Sequence, residues 1–397
     1  MNLISKFKTI LQETNSLLRL LIHYKYLLIF LYPFIKFFEK FPKKNTSSKI
    51  YFFINDNNIR EIYIAQLLIK NFQVELIYRK EPPYLDALIK NNINYRIFSK
   101  FYNYYYFFLS NNSIKILFCA NTLCLLPYTL IKQNIICSVY DTVAGQAQGK
   151  IIDFFEKINV YFLKYIIERD PRLHTNYKKI YKKIKIKNVF IHDGVKNLNS
   201  SFIKKKKEIH AVSLGWIDDK ICNLEKTFKS LCKAGIYIHI FNNDKSIQFK
   251  YPYLKKIKDK YPKYIIFEQP INGEELLKKI SSFHLGISPH QEYYKYDNLY
   301  YLAKYYSFCP SNRIADYLSA NLINLISKKY KFNVHTIKKY GGKIIYFEDF
   351  DNDVHKIKNV IYKTNFQNNK QKYLYNKNFF DNEFKSKKLI NFINKYF

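Results

Sequence analysis

The chain has 397 residues, 48% of them hydrophobic, and its 66 Lys+Arg against 31 Asp+Glu give a formal charge of +35. An apolar fraction of this size excludes disorder as the main state, and the length excludes a single small binding module and points to two domains. Only seven of the basic residues are arginine, and Asn, Ile, Tyr and Phe crowd the chain while glycine numbers nine, so the charge reads first as coding bias toward A/T-rich codons and a solvated lysine surface.

Residues 17–38 are the most apolar stretch, but Arg19, His23, Lys25 and Lys36 interrupt it. A spanning helix needs about 18 or more apolar residues, so this stretch is too short to cross a membrane. No small-residue cleavage site follows it before the polar residues 43–48. Residues 1–48 are therefore expected to form a basic, aromatic-rich amphipathic helical segment, lying in a membrane interface or docked on the domain behind it.

From residue 49 the pattern changes to short β-branched or aromatic runs at 50–54, 74–79, 95–99, 114–120 and 135–140, with helix-compatible stretches at 59–72 and 84–92 between them. Alternating strand and helix predicts a parallel sheet covered on both faces. A longer amphipathic stretch over 151–170 predicts a helix that Pro171 ends. The Asn/Ser-rich, lysine-loaded residues 195–207 read as a connector, since four consecutive lysines have no place in a core.

The rhythm then starts afresh. A strand over 209–216 ends in Gly215, a helix over 223–235 closes on Gly235, and strands follow at 236–241, 264–269, 284–289, 322–327 and 343–348, with helices at 274–283 and 311–321. The expected organisation is an N-terminal segment over 1–48, one α/β domain over 49–200, a second over 201–350 and C-terminal helices over 351–397. In two tandem sheets of this class, ligands gather at the carboxyl ends of the strands, in a cleft between the domains.

The six cysteines show no CxxC pair and the nine histidines no HExxH or Cys/His cluster. The cysteines read as reduced, buried apolar residues of a cytosolic protein, and neither a metal nor a resident cofactor is expected. Asp349, Asp351 and Asp353 could pass for a metal-binding DxD, but they follow the last strand and read as a polar turn or helix start.

The stretch 281–328 carries the most information. It runs helix, HLGISP, a Tyr-rich insertion, then CPSNRIADYLSANLINLIS. This resembles the donor-binding region of GT-B glycosyltransferases of the group 1, family 4-like kind, whose usual pattern is a strand ending in a "glxP"-like turn and a helix "sNKlxEYLaaGxPvi". Gly286, Ser288 and Pro289 match the turn, and Ser311, Asn312, Arg313, Asp316, Tyr317, Leu318, Ala320 and Asn321 match the helix. VSLGWIDD over 212–219 is similar to the turn that opens the donor domain, with Gly215 as its glycine. The usual Glu is Asp316 here, the helix-ending Gly is Asn321, and the Pro after it is Ile323 or thereabouts.

The resemblance implies a metal-independent, hexosyltransferase-like enzyme with two Rossmann-like domains. Its donor, a nucleotide-diphospho-sugar, would be a co-substrate held by Gly215, Ser288, Ser311, Asn312, Arg313 and Asp316. Helix-terminal amides with an arginine suit a diphosphate, and a carboxylate one turn on can accept both ribose hydroxyls. Arg313 and Asp316 equally fit an i, i+3 surface ion pair. The implied acceptor is a saccharide or lipid-linked glycan in bacterial-type surface glycan synthesis, with the protein cytoplasmic and peripheral on an anionic membrane surface. Catalytic candidates are Asp141, which ends the strand over 135–140 and serves as general base or as a turn cap, and His174, which with Arg172 touches acceptor or phosphate or else belongs to a solvated helix end. A nucleotide-sugar epimerase of the same fold, or a non-catalytic binder of nucleic acid or anionic membrane, remains as the alternative; lysine spread along the whole chain speaks against nucleic acid as a partner.

Overall fold

The computed structural model describes residues 49–54, 59–78, 80–82, 85–98, 113–121, 135–141, 157, 160–161, 163–169, 185–192, 205–215, 217, 224–242, 251–269, 271, 273–288, 293–296, 299–302, 312–349, 355–364 and 381–397. The segment 1–48 with its expected amphipathic helix, and residues 195–204 of the expected connector, lie outside them. The chain divides into two units, residues 1–191 with 383–397 and residues 192–382. The division falls at Ile191, short of the expected connector, and the last helix is counted with the first unit.

In the first unit, β1 (Lys49–Ile54), α1 (Ile59–Leu68), β2 (Gln73–Tyr78), α2 (Leu85–Lys90), β3 (Asn94–Ile97), β4 (Ile114–Asn121), β5 (Ile135–Asp141), β6 (Tyr165–Glu168) and β7 (Lys187–Phe190) follow one another. The seven strands form one parallel sheet in the order β3-β2-β1-β4-β5-β6-β7. Strands buried on both faces need no polar alternation, which is why IYFFI reads as a continuous apolar run. The reading of 151–170 as one helix is corrected at its end. Residues 165–168 are β6, where Ile166 pairs with Cys137 and Ile167 and Glu168 are buried. The β-branched pair favours a strand once a neighbouring edge is there to receive it.

The second unit contains β8 (His210–Leu214), α3 (Leu224–Lys233), β9 (Tyr237–Phe241), α4 (Pro252–Lys260), β10 (Ile265–Glu268), α5 (Gly273–Ile280), β11 (Leu285–Ser288), β12 (Tyr293–Tyr296), β13 (Leu299–Leu302), α6 (Asn312–Ser319), β14 (Ile323–Ile326), α7 (Lys331–Lys339), β15 (Ile344–Tyr346), a 3-10 turn over Phe347–Asp349 and α8 (His355–Tyr362). Its parallel sheet runs β10-β9-β8-β11-β14-β15, and β12 and β13 make a separate antiparallel ribbon. Counted within the unit the order is 3-2-1-4-5-6, so the direction of winding reverses between β8 and β11. α4 escaped the sequence reading although Pro252 opens it and Tyr253, Leu254 and Ile257 bury one face. Gly235 and Asn321 close α3 and α6 with φ of +70° and +53°, the left-handed cap that glycine and asparagine tolerate.

The final helix, α9 (Asn382–Tyr396), packs Leu389, Phe392 and Ile393 into the core of the first unit. Lys385 Nζ donates to Tyr63 Oη at 2.6 Å and Ser386 Oγ to the Leu67 carbonyl, both on α1. Among the described residues no helix is long and apolar enough to cross a membrane.

Candidate functional site

Every strand of the second sheet points the same way, so Gly215, Asn242, Ser288 and Ser327, which end or follow β8, β9, β11 and β14, lie along one edge. A crossover helix runs antiparallel to its strands, which brings the N-terminus of α6 to that same edge. Sheets of this kind take their ligands at the carboxyl ends of the strands beside such a reversal, here between β8 and β11.

Gly215 turns away from β8 with φ +72°, a conformation that side chains rarely adopt, and a Cβ added to it would sit 3.6 Å from Arg313 Nη2. The backbone of the first turn and the guanidinium of α6 are therefore close neighbours. Asn242 Nδ2 donates to the Gly215 carbonyl at 2.9 Å and holds the turn from the β9 side. At the facing strand end, the Ser288 hydroxyl is buried and makes no hydrogen bond among the described residues; the same is true of Ser213 in β8. Buried hydroxyls without a partner are uncommon, and that of Ser288 lies at the strand end that faces the Gly215 turn.

Arg313 sits in the first turn of α6, which holds no acidic residue. The helix dipole and the free amides there favour an anion and oppose a cation, so the arginine does not serve the helix itself. A diphosphate would be met by both. Asp316, one turn on, is partly buried. Burial pushes its carboxyl up to about 7, against the lowering influence of the Arg313 charge. Asn312 opens α6 as the resemblance implied, while its side chain, and Ser311 altogether, lie outside the described residues.

Tyr317, whose chemistry the sequence reading left unassigned, locks α6 in place. Its fully buried hydroxyl accepts from the Leu214 N–H at 3.2 Å and faces the Ile287 and Val212 carbonyls at 3.0 and 3.2 Å. A Cβ on Gly286 would lie 2.3 Å from Tyr317 Cγ, so only glycine admits the ring. A tyrosine between two positions of a ligand motif, on the inward face of an amphipathic helix, was the available signal.

At the far strands, Glu348 accepts from Ser327 Oγ and from the Lys328 N–H at 3.1 Å, and Lys328 pairs with Asp349. Burial would raise the Glu348 carboxyl, but these hydrogen bonds outweigh it and hold it below its ordinary value. Asp349 is thus engaged in a surface ion pair, and Asp351 and Asp353 lie outside the described residues. No group of three or more His, Cys, Asp or Glu among the described residues could hold a metal ion.

In the first unit Asp141 is the last residue of β5, in register with Asn121 of β4, and its side chain lies outside the described residues. His174 and Arg172 lie outside them as well. Two charged residues that sequence reading passed over, Arg60 and Glu61, are buried in the first turn of α1, where Arg60 Nη2 donates to the Ile191 carbonyl at 3.2 Å. Burial, and after it the Glu61 charge, raises the pKa of the Tyr78 hydroxyl at the carboxyl end of β2.

No protein-family model matches the chain, and no curated protein does. Solved structures do. HepE of Anabaena in complex with UDP and glucose superposes with a TM-score of 0.64 at 8% identity, over 87% of this chain and 99% of that one. A glycosyltransferase of Rickettsia africae gives 0.59 at 13% identity, covering 89% and 100%. WaaG, a glycosyltransferase involved in lipopolysaccharide biosynthesis, gives 0.56 at 10% identity, covering 87% and 99%. The chain has the GT-B fold, as its α6 motif implied.

Proposed function

We propose that this chain is a glycosyltransferase that moves a sugar from a nucleotide-diphospho-sugar to a saccharide or lipid-linked acceptor in the synthesis of a surface glycan. The observation that carries the reading is the close approach of Arg313, at the N-terminus of α6, to the Gly215 turn at the switch point of the second sheet. Similar structures were solved with UDP and with UDP-glucose, so UDP is the first ligand to test.

In this reaction the bond from the anomeric carbon to the diphosphate oxygen breaks, and the acceptor hydroxyl oxygen forms the new bond. The hydroxyl proton passes to a base, and negative charge collects on the departing diphosphate. The α6 amides and Arg313 supply fixed positive potential where that charge develops, which lowers the barrier most if they need not move. Asp316, ionised, accepts the ribose hydroxyls and sets the nucleotide's register, and Ser288 turns its hydroxyl to a phosphate. Asp141 is the proposed base at the carboxyl end of β5, with His174 as the second candidate. The nucleotide sugar is a co-substrate, and the basic surface with residues 1–48 holds the enzyme on an anionic membrane leaflet.

A thermal-shift panel of UDP, GDP, ADP, CMP and their common sugar conjugates tests this directly. Selective stabilisation by one diphosphate, absent in Asp316→Ala, is the expected result. A flat panel, or a shift that the variant retains in full, defeats the donor-site reading.

A further inference from the structure

The ladder between β8 and β11 pairs Leu285 with Ala211 and Gly286 with Val212 and goes no further. In a parallel ladder the next rung would join the Leu214 N–H to the Ile287 carbonyl. Those two groups instead meet the Tyr317 hydroxyl, which accepts from Leu214 N at 3.2 Å and donates to Ile287 O at 3.0 Å. On its other side β8 stays paired with β9 out to Leu214 and Phe241, so the parting is confined to the switch point. The side chain reaches this place only because Gly286 carries no Cβ.

We propose that Tyr317 is a positioning residue that replaces one backbone rung with its hydroxyl, holds β8 and β11 apart at their carboxyl ends, and so seats Gly215, Arg313 and Asp316 around the nucleotide diphosphate. The inference rests on the nucleotide-sugar reading above. Three features converge on it. The hydroxyl satisfies a buried donor and a buried acceptor that a phenylalanine would leave unpaired or allow to close on each other. The ring fixes α6 to the sheet one residue beyond Asp316 and four beyond Arg313, so any shift of the helix moves both. The parting of the strands ends beside Ser288, whose buried hydroxyl makes no hydrogen bond among the described residues.

The test compares Tyr317→Phe with Tyr340→Phe. The second variant loses a buried tyrosine hydroxyl of the same unit, bonded to His192 Nε2 at 3.0 Å, at the C-terminal end of α7 and hence at the opposite edge of the sheet. UDP dissociation constants are measured by calorimetry on both variants and the wild type, with the amide proton shift of Leu214 followed by NMR. Tyr317→Phe is expected to weaken UDP by about three- to tenfold, the equivalent of one net hydrogen bond, and to move the Leu214 amide, while Tyr340→Phe stays within about twofold whatever its melting temperature. Equal affinities in the two variants, or a Leu214 amide that does not move in Tyr317→Phe, would overturn the positioning role. A wild type that binds no diphosphate defeats the functional reading instead, and the Leu214 shift then decides by itself whether the hydroxyl occupies the rung.

Discussion

The proposed donor role asks two conflicting things of Asp316. Its carboxyl is pushed up to about 7 by burial, so the empty site is destabilised by ionising it, whereas binding ribose hydroxyls needs the ionised form. A folded value above the unfolded one means that this group's contribution to stability is full below the ordinary carboxylate range and is lost as pH rises through about 7. Asp316→Asn is therefore expected to raise the melting temperature of the nucleotide-free protein at pH 8 while weakening nucleotide binding. In the wild type the affinity should fall as pH drops below about 7, by on the order of tenfold one unit further down, and the Asn variant should lack that limb. Calorimetry across the pH range checks both signs, and a variant with the wild-type pH profile would remove Asp316 from the site. Arg313 and Asp316 were legible in the sequence because residue type and i, i+3 spacing survive without coordinates. Their neighbours were not. The approach of Gly215 to Arg313 and the reach of Tyr317 to β8 join positions some hundred residues apart, which no local pattern encodes.

At the scale of elements, the core of the second unit contains a polar chain that the proposed function does not call for. His210 Nδ1 lies 2.7 Å from His239 Nε2, and His239 Nδ1 lies 2.6 Å from Glu268 Oε1, whose second oxygen pairs with Lys279. With Glu268 ionised and both histidines neutral, His239 donates from Nδ1 to Glu268 and accepts at Nε2 from His210 Nδ1–H. His284 Nδ1 in turn accepts from the His210 N–H at 3.2 Å. Burial lowers His210 to about 3, with Lys206 and the neighbouring histidines adding to it, and burial followed by Lys205 lowers His284 to about 4. Burial lowers His239 too, against the pull of Glu268. Depressed histidines contribute stability that is complete above their unfolded value of about 6.5 and drains away as pH falls toward the folded values. The second unit is expected to lose stability below about pH 6.5 by up to about 1.4 kcal/mol per unit for each histidine. Denaturant midpoints at neutral and mildly acid pH measure this, and His210→Phe, which keeps the stack on Tyr237 and Phe283 but takes no proton, should flatten the slope; an unchanged slope refutes the assignment. Strand and helix alternation foretold the two sheets, because continuous apolar runs are what doubly covered strands require. It failed at β6, where the apolar run of a strand follows a helical one without a breaker, and at α4 and the β12-β13 ribbon, where lysine and tyrosine dilute the period.

For the whole molecule the question is what a charge of +35 is for. Part of it has a local explanation: α3, α4 and α7 each end in lysine, Lys233, Lys260 and Lys339, where the helix dipole favours a cation. Crossover helices run against their strands, so these lysines gather at the amino edge of the sheet, away from the edge that carries Arg313 and Gly215. The proposed donor site and the proposed membrane attraction thus draw on different charges and should respond differently to salt. Between about 0.1 M and about 1 M the screening length shrinks from about 10 Å to about 3 Å. Sedimentation with vesicles rich in anionic lipid should be lost over that range, because exposed lysines act across solvent. UDP at the proposed site, met by close contacts at the start of α6, should weaken far less. The same experiment on a chain lacking residues 1–48 separates the two sources of membrane affinity: salt-resistant sedimentation that disappears with the segment assigns it to apolar insertion, and salt-sensitive sedimentation that survives the deletion assigns it to the lysine surface. Vesicle binding by neither route would leave the charge to solubility and helix stability alone, and would end the proposal that this chain works at a membrane.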